Sequence, residues 1–347
     1  MNPGFQAIIN ASAIDRGGLF AETAQRLGTA PGNVEKDFWV CWTLDALFNA
    51  LPKPPRKLFK GGTALAKAFD LIKRFSEDID IAIFRGDLGH DVGARQLIDL
   101  SKGRRAKRLE KIQAACRRYM AETFMPGLEG IVAAAMREAS IPVEGFSVSL
   151  DPDDPDQQSV LFRYPAVHRE STYIATVVKI ESGARSALDP HTDRVIRPYV
   201  EQEAKVDLRV AGVTSMLPER TFWDKIVILH GLRRSYDNTR RLKRDGERVS
   251  RHYFDLHSLL KAPEAAVWVK NDVLPRDCAL HAELFFGSAT SMLQEAKRGT
   301  YALSPAPEMA KLLATDYGRM AGMVFGDVPP FDEVLAAVRQ LEERLNS

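Results

Sequence analysis

Cysteine is scarce in this 347-residue chain. Cys41, Cys116 and Cys278 are far apart, with neither the close spacing of a zinc site nor the density of a disulfide framework. A reducing compartment is expected. Met1 to Ile14 has no basic stretch followed by an apolar core, so no secretory signal is read. Long hydrophobic runs are missing too: the most apolar stretch, Phe38 to Leu51, is broken by Asp45 and is too short for a bilayer. A cytoplasmic protein without membrane contact is the expectation. Net charge is only +2, so any case for nucleic-acid binding must come from local clusters. Two familiar motifs also fail. Gly62-x4-Lys67 lacks the second glycine and the Ser/Thr of a P-loop. Asp151-Pro-Asp-Asp-Pro-Asp156 has two prolines, no central glycine and no closing Glu, so it is a solvated turn and not a calcium loop.

With 45% apolar and 27% charged residues, the composition is that of a soluble globular protein. The length allows two domains, or one large α/β domain with a helical appendage. The most informative stretch runs from Lys60 to Ile83. Leu58-Phe59 is a short apolar strand broken by Gly61 and Gly62, and Thr63 can cap a helix from Ala64 to about Lys73. Phe75 to Phe84 reads as a strand. Strand side chains alternate, so Asp78 and Asp80 share one face while Ile79, Ile81 and Ile83 share the other. Adjacent carboxylates repel unless a cation lies between them, and such a pair holds Mg²⁺ against a nucleotide's phosphates. The glycines let backbone N–H groups approach a phosphate closely. A phosphate-transfer site is the combined reading.

Elsewhere the pattern is mostly helical before residue 50, with Ala21–Leu27 and Asn33–Asn49 as helices and Trp39 and Trp42 read as core, not as a base-stacking platform. A helical segment at about 92–139 carries Lys102, Arg104, Arg105, Lys107, Arg108, Lys111, Arg117 and Arg118 against Glu110. It is either a solvated face or a surface that meets phosphates. Residues 146–150 and 160–164 form a hairpin. Tyr173 to Glu181 is a strand on which Val177, Lys179 and Glu181 share a face. From Val213 the pattern turns helical, including Leu217–Ile226, a helix opened at Ser250 as cap, and helices at Phe285–Glu295 and Phe331–Leu345. A second basic run, Arg233 to Arg251, reads in part as a loop. Arg251 and Asp255 would face each other on a helix.

Gly-Gly, a helix, then Ser76-x-Asp78-x-Asp80 on a strand resembles the nucleotidyltransferase (DNA polymerase β-like) superfamily. More narrowly, FKGGTALAKAFDLIKRFSEDIDIAI is similar to the AbiEii/AbiGii toxins of bacterial type IV toxin–antitoxin and abortive-infection systems. The likeness extends over about residues 55 to 260. It implies an α/β (α+β) chain with a small mixed sheet and N-terminal helices. Residues 1–210 would form the nucleotidyltransferase domain, with a helical insertion at about 92–139, and residues 211–347 a helical C-terminal domain. It implies Mg²⁺-dependent transfer of NMP from an NTP, with RNA, tRNA first, as acceptor and an antitoxin encoded nearby.

In residue terms the resemblance makes Asp78, Asp80 and Glu181 the metal and catalytic carboxylates. For Glu181 a cross-strand ion pair without chemistry is the alternative, and Lys179 could neutralise it or touch phosphate. Lys60, Gly61, Gly62, Thr63, Ser76, Lys179 and Arg185 would contact nucleotide, Lys225 the triphosphate, and Asp255 would orient Lys225 or bind nucleotide. His252 stands where the family's closing motif often has Asp, so only Arg251 and Asp255 carry over. Transfer to protein or to the enzyme itself, a nucleotide-binding regulator without turnover, and a plain nucleic-acid-binding protein are the rival readings.

Overall fold

Three helices open the chain: α1 (Pro3–Asn10), α2 (Ala13–Leu27) and α3 (Pro31–Asp45). Proline at the first turn of α1 and α3 is tolerated because those N–H groups have no helical partner. Asn2 and Ser12 cap α1 and α2, and Gly28 ends α2 in the left-handed conformation. Helix α3 is buried on nearly every side, as its run of Phe38, Trp39, Val40, Trp42 and Leu44 requires. Trp39 stacks on Tyr164 at 5.6 Å and meets Trp42 and Phe162 edge-on, so both tryptophans are core.

The computed structural model describes residues 1–75, 78–168, 176–242 and 247–347. Ser76, Tyr173–Ala175 and the middle of the second basic run lie outside the described residues. The chain forms two units. One comprises Met1–Phe69, Phe75–Val92 and Lys102–Met216, and the other Asp70–Arg74, Gly93–Ser101 and Leu217–Ser347.

The first unit is built on a seven-stranded mixed sheet. Its strands are β1 (Lys57–Lys60), β2 (Asp78–Ile83), β3 (Ser147–Leu150), β4 (Val160–Arg163), β5 (Val177–Gly183), β6 (His191–Ile196) and β7 (Val210–Met216). They lie in the order β3-β4-β5-β2-β1-β7-β6. β2 runs antiparallel to β1 and parallel to β5. Ile79, Ile81, Ile83, Val178 and Ile180 are all fully buried, while Asp78, Asp80, Lys179 and Glu181 on the alternate positions are partly accessible. Between β1 and β2 lies the short helix α4 (Gly61–Lys67). Lys67 at its end is buried and paired with Asp37 of α3 at 2.7 Å, its ammonium over the Tyr199 ring at 3.6 Å. That pair pins α4 to the core and gives Lys67 a role unrelated to a Walker lysine.

Several local expectations are corrected. Helix α4 starts at Gly61 and stops at Lys67, so Thr63 is inside it and is not its cap. The insertion is three helices, α5 (Ala94–Ile98), α6 (Lys102–Tyr119) and α7 (Met125–Glu138), with a π-helical turn at Met120–Phe124. The helical pattern expected from Val213 is strand as far as Met216, and β6 has no counterpart in the sequence reading. After the short α8 (Glu201–Ala204), the long helix α9 (Pro218–Thr239) carries Arg233 and Arg234, the start of the second basic run. They pair with Asp237 and Glu295.

In the second unit α9 is followed by α10 (Ser250–Leu260), α11 (Ala265–Trp268), α12 (Leu274–Phe286), α13 (Pro307–Met320) and α14 (Phe331–Asn346). The helix expected at Phe285–Glu295 is instead the end of α12 plus a 3-10 turn at Leu293–Glu295. Ser250 is the first residue of α10, not its cap. The buried Asp316 carboxylate accepts from the N–H groups of Arg248 and Ser250 and from the Ser250 hydroxyl, and does the capping work. Among the described residues no helix is long and apolar enough to cross a membrane.

Candidate active site

The register of the central strands brings together the candidate residues of the first unit. Lys60 of β1 stands opposite Asp80 of β2, and Asp80 stands beside Glu181 of β5. Paired positions in neighbouring strands project to the same face, so Lys60, Asp80 and Glu181 form a row across the sheet. Asp78 and Lys179 form the next row. Gly61 follows Lys60 directly with φ +77°, and a β-carbon there would lie 2.2 Å from Asp80 Oδ2. Glycine is therefore demanded twice, by the backbone and by the carboxylate against it. The Thr63 hydroxyl donates to the backbone carbonyl of Asp78, and the side chain is buried. Its contribution is to tie the first turn of α4 to the aspartate strand.

Lys179 bridges two acids, Asp151 at 2.9 Å and Glu181 at 3.2 Å. Burial opposes its charge, but the two carboxylates outweigh burial and raise its pKa above an ordinary lysine's. Asp151 is itself buried, so the acidic turn expected to be solvated anchors this lysine at one end. Arg185 pairs with Asp156 of the same turn at 3.6 Å. Among the described residues no three His, Cys, Asp or Glu side chains converge as a ready-made metal set. The donors nevertheless suit Mg²⁺. Asp78 and Asp80 offer hard carboxylate oxygens on one face, and Glu181 stands in the adjacent strand with Lys179 as its present partner.

A separate group of candidate residues lies in the helical unit, around Asp255 of α10. Asp255 is fully buried and receives Arg74 Nε at 2.7 Å, Arg74 Nη2 at 2.9 Å and Lys225 Nζ at 2.8 Å. Its oxygens go to these two cations and not to Arg251, the partner expected from the four-residue spacing. Burial pushes against the carboxylate's charge, yet Arg74 and Lys225 prevail and hold its pKa well below the carboxylate range. Lys225 is buried, and burial lowers its pKa. Asp255 opposes that effect, but Arg74 and Arg251 nearby add to it. A single carboxylate thus binds two cations at once. His252 adds no charge, because burial, then Lys225 and Arg251, keep its imidazole neutral. Asp224, beside Lys225 in sequence, pairs with Arg220 instead, at 3.0 Å.

Arg74 is the residue sequence reasoning missed. Its signal was its place two residues before Ser76 at the entry to the aspartate strand. It is held in the helical unit, bridged to Val324, with the Phe325 N–H donating to the Lys73 carbonyl at 2.9 Å.

Residues 42–337 match the family described as "Nucleotidyl transferase AbiEii toxin, Type IV TA system". The chain belongs to the AbiEii family. AbiEii proteins are the nucleotidyltransferase toxins of type IV toxin–antitoxin systems, which makes an NTP the substrate class and an antitoxin the partner of this chain. Comparison with curated proteins gives no match. A solved structure, "MenT4, nucleotidyltransferase toxin Rv2826c from Mycobacterium tuberculosis H37Rv", aligns over 94% of this AbiEii chain and 97% of its own at 16% identity, with a TM-score of 0.44.

Proposed function

We propose that this AbiEii chain is a Mg²⁺-dependent enzyme that transfers NMP from an NTP to a hydroxyl of RNA, with transfer RNA as the leading acceptor and the cytoplasm as its place of action. The observation that carries the reading is the Lys60–Asp80–Glu181 row with the bare α-carbon of Gly61 against the Asp80 carboxylate.

Asp78 and Asp80, with Glu181 as third acid, would hold Mg²⁺, which neutralises phosphate charge and polarises the α-phosphoryl group. The Gly61–Gly62–Thr63 backbone and Lys60 receive the β- and γ-phosphates, and Ser76 and Arg185 are assigned to the same nucleotide. Glu181 accepts the proton of the attacking hydroxyl as the new oxygen–phosphorus bond forms. The bond to the bridging oxygen breaks, and pyrophosphate leaves with that electron pair. Lys179 shifts from Glu181 to phosphate as the carboxylate takes up this work. Lys225, held by Asp255, is assigned to the triphosphate, where a mobile point charge can follow the charge building on the leaving pyrophosphate. Positioning and charge neutralisation then account for most of the rate enhancement.

The test is incubation with α-labelled or γ-labelled NTP, with and without total RNA, followed by mass analysis of tRNA ends. Label passing from the α-position to RNA, with matching mass gain, is expected. Label retained on the protein, or transferred only from the γ-position, overturns the acceptor or the reaction type respectively.

A further inference from the structure

Helix α6 (Lys102–Tyr119) carries an arrangement of charge that the NTP site does not use. At 3.6 residues per turn, Arg104, Lys107, Arg108, Lys111 and Arg118 fall within an arc of about 100°. The buried residues Ile112 and Cys116 lie on another side, and the helix's one acid, Glu110, is outside the arc. None of the five cations has an ion-pair partner among the described residues, and Arg104, Lys107, Lys111 and Arg118 are exposed. Their neighbour His90 registers the field. Burial first, then Arg108 and Lys111, lowers its pKa. From Arg104 to Arg118 the stripe is about 21 Å long. At roughly 3.4 Å per nucleotide of a stacked strand, that length faces about six successive phosphates.

An unpaired row of like charges on a helix is destabilising by itself, since the cations repel and gain nothing in return. A solvated surface face usually mixes signs. A row that keeps one sign over four turns, with no carboxylate interleaved, matches a linear polyanion better than a folded acidic protein of irregular charge spacing. We infer that this stripe is the docking surface for the phosphate backbone of the acceptor RNA, bound without regard to base sequence. The inference rests on the RNA reading above and deepens it.

The test compares the wild type with the triple variant R104Q/K107Q/K111Q. A second variant, K270Q/R276Q/K297Q, removes the same charge from exposed positions of the helical unit. Each lost phosphate contact lowers affinity by a salt-dependent factor, so three together should weaken RNA binding on the order of 50- to 150-fold at 0.15 M salt and flatten the log–log salt slope by about 2 to 3. KM for RNA should rise accordingly, while the rate at saturating RNA and NTP binding stay unchanged, and the helical unit variant should behave as wild type. RNA transfer with unchanged KM and salt slope in the α6 variant overturns the inference and leaves the RNA reading standing. An equal loss in both variants also overturns it, since bulk charge would then suffice. A wild type that neither binds nor labels RNA overturns the inference and the RNA reading together.

Discussion

Arg74 and Asp255, 181 residues apart in sequence, meet as a two-pronged buried ion pair, Nε to Oδ1 at 2.7 Å and Nη2 to Oδ2 at 2.9 Å. The same carboxylate takes Lys225 at 2.8 Å, so Arg74 decides how firmly Asp255 can hold the lysine assigned to the triphosphate.

Arg74→Ala removes the cation that shares Asp255 and leaves a buried site with a gap. Breaking a buried pair of this kind costs about 3–5 kcal/mol. Urea unfolding of the variant should show a loss in that range, and label transfer should fall with it. A loss under about 1 kcal/mol would mean that the pair contributes little beyond what water supplies.

Gly61→Ala should be poor in activity out of proportion to its stability. The new methyl would stand 2.2 Å from Asp80 Oδ2 and displace the carboxylate, and a misplacement near 1 Å costs about 100-fold in rate. Gly28→Ala is the matched control: its φ is +63°, but nothing lies within 4 Å of the added carbon. Both should lose about 1–2 kcal/mol to the left-handed backbone, and only Gly61→Ala should lose transfer. Equal activities in the two variants would refute the close-approach argument.

Asp80→Ala should lower Mg²⁺-dependent transfer from α-labelled NTP by about three orders of magnitude or more. Far-ultraviolet circular dichroism should stay near wild type, because the side chain lies on the accessible face of β2. Undiminished transfer would remove Asp80 from the metal site.

The pH profile should carry the mark of Lys225, whose pKa lies below the ordinary 10.5 because of its burial and the nearby Arg74 and Arg251. As pH rises its ammonium is lost earlier than an ordinary lysine's, so kcat/KM should decline on the alkaline side below that value. Lys225→Arg, which stays charged, should shift the decline upward. Folding linkage has the opposite sign. Between the folded and ordinary pKa the unfolded chain binds more protons, so this group makes stability rise with pH. Deprotonation of Lys225 therefore does not itself destabilise the fold. A decline at the same pH in wild type and Lys225→Arg would assign it to another group.

The alternation of Asp78-Ile-Asp80-Ile-Ala-Ile83 was legible because its period is local, and so were the hairpin, the buried α3 and the face shared by Lys179 and Glu181. β6 was not legible. His191-Thr-Asp-Arg-Val-Ile196 is an edge strand with one fully buried residue, so it carries almost no apolar signal. In β7, Gly212 at φ +67° interrupts the alternation. Capping logic fails for Thr63 because a longer-range acceptor, the Asp78 carbonyl, takes its hydroxyl. Spacing pairs Arg251 with Asp255, but burial favours the arginine that can offer two parallel bonds. Asp151 looks solvated in sequence because the lysine that buries it is far along the chain.

Because β2 and β5 run side by side in the same direction, the alignment of Asp80 with Glu181 is fixed by their own ladder. Helices α6 and α7 form an excursion on the path between those strands and contribute no rung to it. The segment is still part of the packed unit, since Ile112, Cys116, Phe124, Leu128 and Val132 are fully buried. The register of the acids thus comes from the strand ladder, and the inner faces of α6 and α7 give the sheet its backing.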